Sequence, residues 1–470
     1  MSDPAQPEKR ANSPFDRSLI EGPIGPAVWK LAWPTMLQNV IAGLQGVIDH
    51  VLVGNLIGST GNAAIGVSWQ IFLVVIVFIA SLFTGQAVLV SRFVGAGDVA
   101  KVNKTVQQAF LTAIAMYAVM GPIGYFAAPV LLDFVNAAPE VKVMALPFLR
   151  INFSFSIGML LFFMLTSALR AAGDARTPLR LGVTMTALNI VLNVILIRGL
   201  GPIPSMGTAG SATGTVIASS AVSVFALIQL FKGKLVIKFH SDMDWRPDWA
   251  IIRSLFRFGL PTGVQGIAMN MAGVMLLRYI GSLEHSAAAQ AAYAIGYTEL
   301  FSLITWTSVG LMGAAATIAG QNLGAKQPER AILGVHAASR IGLMVAGGVG
   351  FLFVVFPHLL LSIFGAQKDP AVSTIGQQLL QYLAVSGFFI TLALTYTGGL
   401  QGTGDTRSPL FITLASQILI PIGMCTIIQS MRPLVPTDIW LAIVLGHFAR
   451  CVLSVLRFRQ GKWRSIVVVH

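Results

Sequence analysis

Long apolar runs, each closed by a short polar stretch, repeat along the whole chain. Twelve such runs lie near 28–53, 63–91, 105–131, 145–170, 178–198, 208–231, 255–281, 287–320, 330–356, 374–400, 409–429 and 438–457. A helix of about 20 apolar residues crosses the hydrocarbon core of a bilayer. Lipid admits only helices or closed barrels, and the ten-residue alternation of barrel strands is absent. The pattern therefore predicts an all-α integral membrane protein with twelve transmembrane helices.

The polar stretches repeat as well. ALRAAGDARTPL at 168–179 matches GLQGTGDTRSPL 231 residues later, SRFVGAGD at 91–98 matches GQNLGAKQ at an offset of 229, and WPTMLQ at 33–38 matches LPTGVQ at 227. Three matches in order at nearly one offset indicate a duplicated half. Each half holds six spans, an even number. The copies then run in the same direction and are related by a pseudo-two-fold axis along the membrane normal. The expected division is an N-terminal tail at 1–27, a six-helix half at 28–231, a charged linker at 232–254, a second half at 255–457 and a tail at 458–470.

Composition agrees with this class: 55% of the 470 residues are hydrophobic and 10% charged, with mean hydropathy +0.76, where soluble domains carry roughly 25% charged residues. The net charge of +13 would suggest nucleic acid in a soluble protein; here loop bias explains it. With the N-terminus inside, 25 of the 31 Lys and Arg fall on the cytoplasmic side, at 9–30, 92–104, 170–180, 232–257, 326–340, 407 and 450–464. The others are Lys142, Arg150, Arg198, Arg278, Lys368 and Arg432. Both termini, the linker and both tails are expected in the cytoplasm, and the first 26 residues, polar and without the apolar core of a signal peptide, read as a mobile tail. Cys425 and Cys451 fall near opposite faces, too far apart for a disulfide.

Of the 18 acidic residues, Asp49 and Glu299 lie well inside predicted spans. An ionisable group at that depth costs at least about 2.5–3.5 kcal/mol and marks an ion or proton path or a packed partner. In the same half, Asn189 and Asn193 sit one turn apart on span five, and Ser211 and Thr215 one turn apart on span six. One carboxylate with neutral oxygens suits H⁺ or a hard cation such as Na⁺; polar glue between helices is the plainer reading. Glu299 is a second candidate acid, nearer the surface. His50 points about 100° away from Asp49 and reads as packing. Within the repeated Gly-Asp-x-Arg-x-Pro loops, Asp174 with Arg176 and Asp405 with Arg407 are placed to pair, or simply to turn the chain. Met159, Phe162, Phe163 and Met164 could line an apolar cavity, though packing or lipid contact accounts for most of them. No GxxxxGK[ST], HExxH or CxxC occurs, so neither an ATP motor nor catalysis is indicated.

Together, an Asp in span one followed by VGNLIG, the VSRFVGAGD loop, LRAAGDARTP, NIVLN and GQNLGA resemble the multidrug and toxic compound extrusion (MATE) family over about residues 28–457. With no acid in span seven, where Met269 stands, or in span ten, the chain is closer to the DinF-like branch than to the NorM-like one. The resemblance implies a secondary antiporter, not an enzyme. It would export organic, often cationic, compounds in exchange for H⁺ or Na⁺, as a monomer in the inner membrane, without a cofactor. It places the cation site at Asp49, Asn189, Asn193 and Thr215, with Ser211 offering its backbone carbonyl, and Na⁺, if bound, at Asp49. Some DinF-like members carry Asp where this chain has Asn193. Pro34 and its repeat copy Pro261 are the expected hinges. A lipid-linked sugar flippase of the same superfamily is the alternative; Arg278 and Arg150 are then the cations to meet phosphate.

Overall fold

The computed structural model describes residues 14–240 and 242–468. Eleven helices in it are long and apolar enough to cross a membrane without a break: α1 Ile24–Leu56, α2 Ser59–Ala96, α3 Val99–Phe134, α5 Arg176–Arg198, α6 Gly207–Phe231, α7 Trp249–Gly281, α8 Ser286–Gly324, α9 Pro328–Val355, α10 Pro370–Thr403, α11 Arg407–Met431 and α12 Pro436–Arg459. The twelfth span, α4, is two pieces, Pro139–Phe155 and Ile157–Ala171, meeting at 54°. A break inside a span frees backbone groups that lipid cannot satisfy. Here the hydroxyl of Tyr117 donates to the carbonyl of Ser154 beside the break. Ser223 donates to the carbonyl of Gly158 at 2.6 Å, holding the second piece against α6.

The repeated Gly-Asp pairs work as stop and start signals. Gly173 and Gly404 end α4 and α10 at φ 98° and 100°, a left-handed conformation that side chains resist. Asp174 then accepts from the backbone N–H of Arg176 and Thr177 at 3.1 and 3.0 Å, capping α5. Of the two readings, turning the chain holds and local ion pairing does not. Asp174 bonds the backbone of Arg176, not its guanidinium, and Asp405 pairs with Arg457 of α12 at 2.8 Å instead of Arg407. Asp174 is satisfied by the N–H groups of its helix start, whereas Asp405 accepts from the N–H of Ser408 and also from Arg457.

The first helix of each half crosses onto the other. Val28, Leu31, Ala32 and Met36 of α1 share one buried cluster with Leu311, Ala315 and Ile318 of α8, and α7 packs along α2. At their C-terminal ends, α2 and α8 meet through two equivalent glycines. A Cβ on Gly95 would lie 1.9 Å from the carbonyl oxygen of Gln321, and one on Gly324 would lie 2.1 Å from that of Arg92. The matching SRFVGAGD and GQNLGAKQ segments thus mark a reciprocal backbone contact between the halves, of the kind small residues permit.

Both expected tails pack on the bundle where they are described. Leu19 is 1% exposed, in the short helix Ser18–Glu21, and Asn322 donates to its carbonyl at 3.3 Å. Trp463 stacks on Phe458 at 5.1 Å. Residues 1–13 and 469–470 of those tails lie outside the described residues. The charged linker is shorter than expected: α7 starts at Trp249, capped by Asp248. Phe239 of the linker is buried against Phe110 and Phe231, because an aromatic in a polar loop still gains by leaving water. Cys425 and Cys451 are free thiols, both buried.

Candidate functional site

Asp49 lies in the last third of α1, one turn after Gln45, and faces α5. The Asn193 amide donates to its Oδ1 at 2.8 Å. Asn189, one turn earlier on α5, is fully buried, as is Asn193. Its amide has two settings. In one, its oxygen accepts from Gln45 at 3.1 Å and Asn193 at 3.3 Å, while its nitrogen donates to the Thr215 hydroxyl at 3.0 Å. Turned over, its nitrogen donates to Asp49 Oδ1 at 3.2 Å, and its oxygen accepts from the hydroxyl and N–H of Thr215 at 3.0 and 3.3 Å. The second setting gives Asp49 two amide donors but also sets the Asn189 nitrogen against the amide nitrogens of Gln45 and Asn193, at 3.1 and 3.3 Å, which are donors themselves. In the first setting the Thr215 hydroxyl donates in turn to the carbonyl of Ser211 at 3.0 Å, so the part Ser211 plays is by its backbone. The structure therefore gathers Asp49, Asn189, Asn193, Thr215 and Ser211 in one network between α1, α5 and α6.

Two members were not singled out in the sequence. Gln45 takes a 2.7 Å bond from the hydroxyl of Thr186. The available signal was spacing: Gln45 precedes Asp49 by four residues, and Thr186 precedes Asn189 by three, so each shares a helix face with its partner. His50 takes no part in the network; it is exposed, lines the same cavity as Asp49, and has its Nδ1 2.6 Å from the Asn62 side-chain oxygen. Glu299 is remote from the network. It sits half-buried in the π-helical stretch Ala294–Leu300 of α8, with no side-chain hydrogen bond or ion pair among the described residues.

Asp49 opens onto a cavity of about 480 Å³ between α1, α2, α4, α5 and α6. Met159, Phe162 and Phe163 form part of its apolar wall, whereas Met164 is packed away from it, fully buried. Arg170 closes its other end and also lines a smaller cavity between the halves, with Thr35 and Gly313. A third cavity, again about 480 Å³, lies between α2 and the second half, with Arg450 and Tyr297 on its wall.

Arg170 and Arg450, both among the cations expected on the cytoplasmic side, face these cavities. Arg450 instead lies nine residues before the end of α12, about 13 Å inward at 1.5 Å per residue, and is 3% exposed. Arg278 is exposed, and Arg150 rests on the ring of Tyr125 at 4.8 Å; neither lines these three cavities. Among the described residues, no three His, Cys, Asp or Glu side chains cluster as a metal site.

Pro34 and Pro261 sit inside unbroken helices at the crossings between halves. Proline leaves a carbonyl one turn back without its usual donor. Next to Pro34, the Thr35 hydroxyl bonds the carbonyls of Leu31 and Ala32 at 2.8 and 2.9 Å.

The chain matches the MatE family profile over residues 34–195 and 261–427, segments that begin at the two equivalent prolines. It is 25% identical over 94% of its length to the probable multidrug resistance protein NorM of Thermotoga maritima, covering 93% of that protein. It is 26% identical to the multidrug resistance protein PmpM of Pseudomonas aeruginosa, over 93% of this chain and 91% of the other. In fold it superposes, with a TM-score of 0.88 at 21% identity, on the outward-facing conformation of a multidrug resistance MATE family transporter of the MOP superfamily, covering 96% and 98% of the two chains. The chain is a multi-pass membrane protein that belongs to the MatE family, a family of transporters rather than enzymes.

Proposed function

We propose that this protein is a secondary antiporter that expels organic, often cationic, compounds in exchange for an inward-moving ion, with Asp49 as the coupling group. One observation carries the reading. A carboxylate without an ion-pair partner among the described residues faces a cavity and is met by the amide of Asn193. Such a group can exchange a proton or a cation with the cavity, and a cationic solute competes for the same charge. The relatives named as multidrug resistance proteins support the substrate class.

Coupling also needs the ion and the solute to favour different states. α1 supplies the connection. Its first turns pack against α8 of the other half, and its later turns carry Asp49. A change of charge at Asp49 alters its hold on α5 and so the seating of α1, with Pro34 weakening the ladder between the two regions. Rocking of the halves about α1 and its counterpart α7, where Pro261 sits, would give alternating access. H⁺ is the favoured ion, because the contact Asp49 Oδ1 makes in both settings is with the amide nitrogen of Asn193, and a bound Na⁺ needs oxygens. Where Na⁺ does bind, Asp49 with the oxygens of Asn189, Thr215 and Ser211 would hold it. The protein would act as a monomer in the inner membrane with both termini cytoplasmic, which the Lys and Arg distribution supports.

The test is dye uptake into inverted vesicles under a pH gradient and, separately, under a Na⁺ gradient. Uptake driven by the pH gradient and lost in Asp49→Asn is expected. Full uptake by that variant would refute the role of Asp49, and uptake driven by Na⁺ alone would overturn the choice of ion. A lipid-linked sugar flippase is the second reading, favoured by the arginines on the cavities. It predicts no gradient-driven dye movement in either direction.

A further inference from the structure

We propose that the second half holds an anion-recognising subsite at Arg450, which makes the preferred solute an amphiphile carrying a carboxylate or phosphate. Arg450 is 3% exposed and lines the 480 Å³ cavity between α2 and the second half. Among the described residues its Nε has no hydrogen-bond partner, and its side-chain hydrogen bond is a long one to the Met269 sulfur, 4.0 Å from Nη1. Among the described residues it has no ion pair and no cation–π partner. A buried guanidinium stays charged and leaves water at high cost unless something pairs with it.

The side chains around it do not supply that pair. Gln401 donates to Gln265 at 3.3 Å, and Gln265 to Thr413 at 2.9 Å, so the nearby amides are bonded to one another. His447 is bonded to Ser386. Tyr297 adds an aromatic wall, stacked on Tyr293 at 4.9 Å. The result is a planar cationic fork in an apolar, aromatic-walled cavity, which suits a planar carboxylate or a phosphate on a hydrophobic body. Gln401 also lines the small cavity between the halves that Arg170 shares with the Asp49 cavity. The small cavity therefore neighbours both the Asp49 and the Arg450 cavities, and a zwitterionic amphiphile matches the opposite charges of those two.

The subsite rests on the transporter reading above, and the test separates the two. Rhodamine B carries a free carboxylate; its ethyl ester does not. Both are titrated by fluorescence polarisation against the full chain in phosphatidylcholine nanodiscs. Arg450→Gln is expected to weaken rhodamine B by about tenfold, the loss of one charge-assisted contact, and to leave the ester within about twofold. Equal weakening of both dyes, or of neither, would overturn the subsite. If Arg450→Gln does not fold, Arg450→Lys decides: it keeps the charge but not the fork, so the preference for acid over ester should shrink, and an unchanged preference overturns the proposal. Repeating the titration with phosphatidylglycerol in the nanodisc identifies the source of the anion. Loss of the acid preference there, in the wild type, points to a lipid headgroup, and its retention to a solute. Gradient-driven export of the ester by wild-type vesicles reads the transport function alone, so its failure is distinct from failure of the subsite.

Discussion

The two halves share a backbone plan and put their buried charge in different places. In the first half the carboxylate of Asp49 stands on α1, bonded to Asn193 and beside Asn189. At the repeat offsets those positions become Leu276, Met424 and Ile420, and Leu276 lies in an apolar core with Met424 packed against it. The second half carries its charge on α12, as Arg450, whereas the corresponding α6 has no charged residue from Gly207 to Phe231. It also contains two π-helical stretches, Ala294–Leu300 and Leu414–Leu419. The first of these holds Tyr297, which faces the Arg450 cavity; such stretches often mark functional sites. The lesson is that the duplicated scaffold needs neither charge to fold. Each half does without the group that the other keeps, so each group is better explained by what it meets in its cavity.

That contrast can be attacked directly. The largest effect is expected from Leu276→Asp, which puts a carboxylate into the half that lacks the amides. With no donor to meet it, the cost is at least about 2.5–3.5 kcal/mol, and yield and thermal stability of the purified protein should fall sharply. Asp49→Asn should lower gradient-driven dye export by about a hundredfold, the upper end of typical coupling between two sites, while thermal stability stays close to wild type. Asn193→Met copies the residue of the second half into the first. It removes a donor to a charged group and should reduce export by about tenfold, corresponding to roughly 1.5 kcal/mol. His50→Leu, which copies Leu277, should change export by less than about twofold, since an exposed group away from the network contributes under about 0.5 kcal/mol. Wild-type stability in Leu276→Asp would mean that the second half tolerates a charge there after all.

Much of the fold was legible because lipid leaves few choices. Helix number and duplication followed from run length and from three repeated segments. The missed features share one physical origin. α4 is broken at Ser156, marked only by Gly158 two residues on, a residue type that unbroken spans contain as well, and the Tyr117 hydroxyl from another helix meets the carbonyl of Ser154 beside the break. Arg170 and Arg450 stand near the ends of apolar runs, where sequence alone cannot separate a loop cation from one turned inward. Gln45 and Thr186 are polar residues of ordinary kinds, and only the approach of α5 to α1 makes them a network.

The sequence by itself determined the class of protein, the twofold repeat and the asymmetry of Asp49, because each is written in local composition and in spacing along one chain. The tertiary structure decided which polar groups touch, which cavity each faces and which charges stand without a partner. Those are properties of several helices at once: a donor on one span acquires meaning only when packing brings an acceptor from another within about 3 Å.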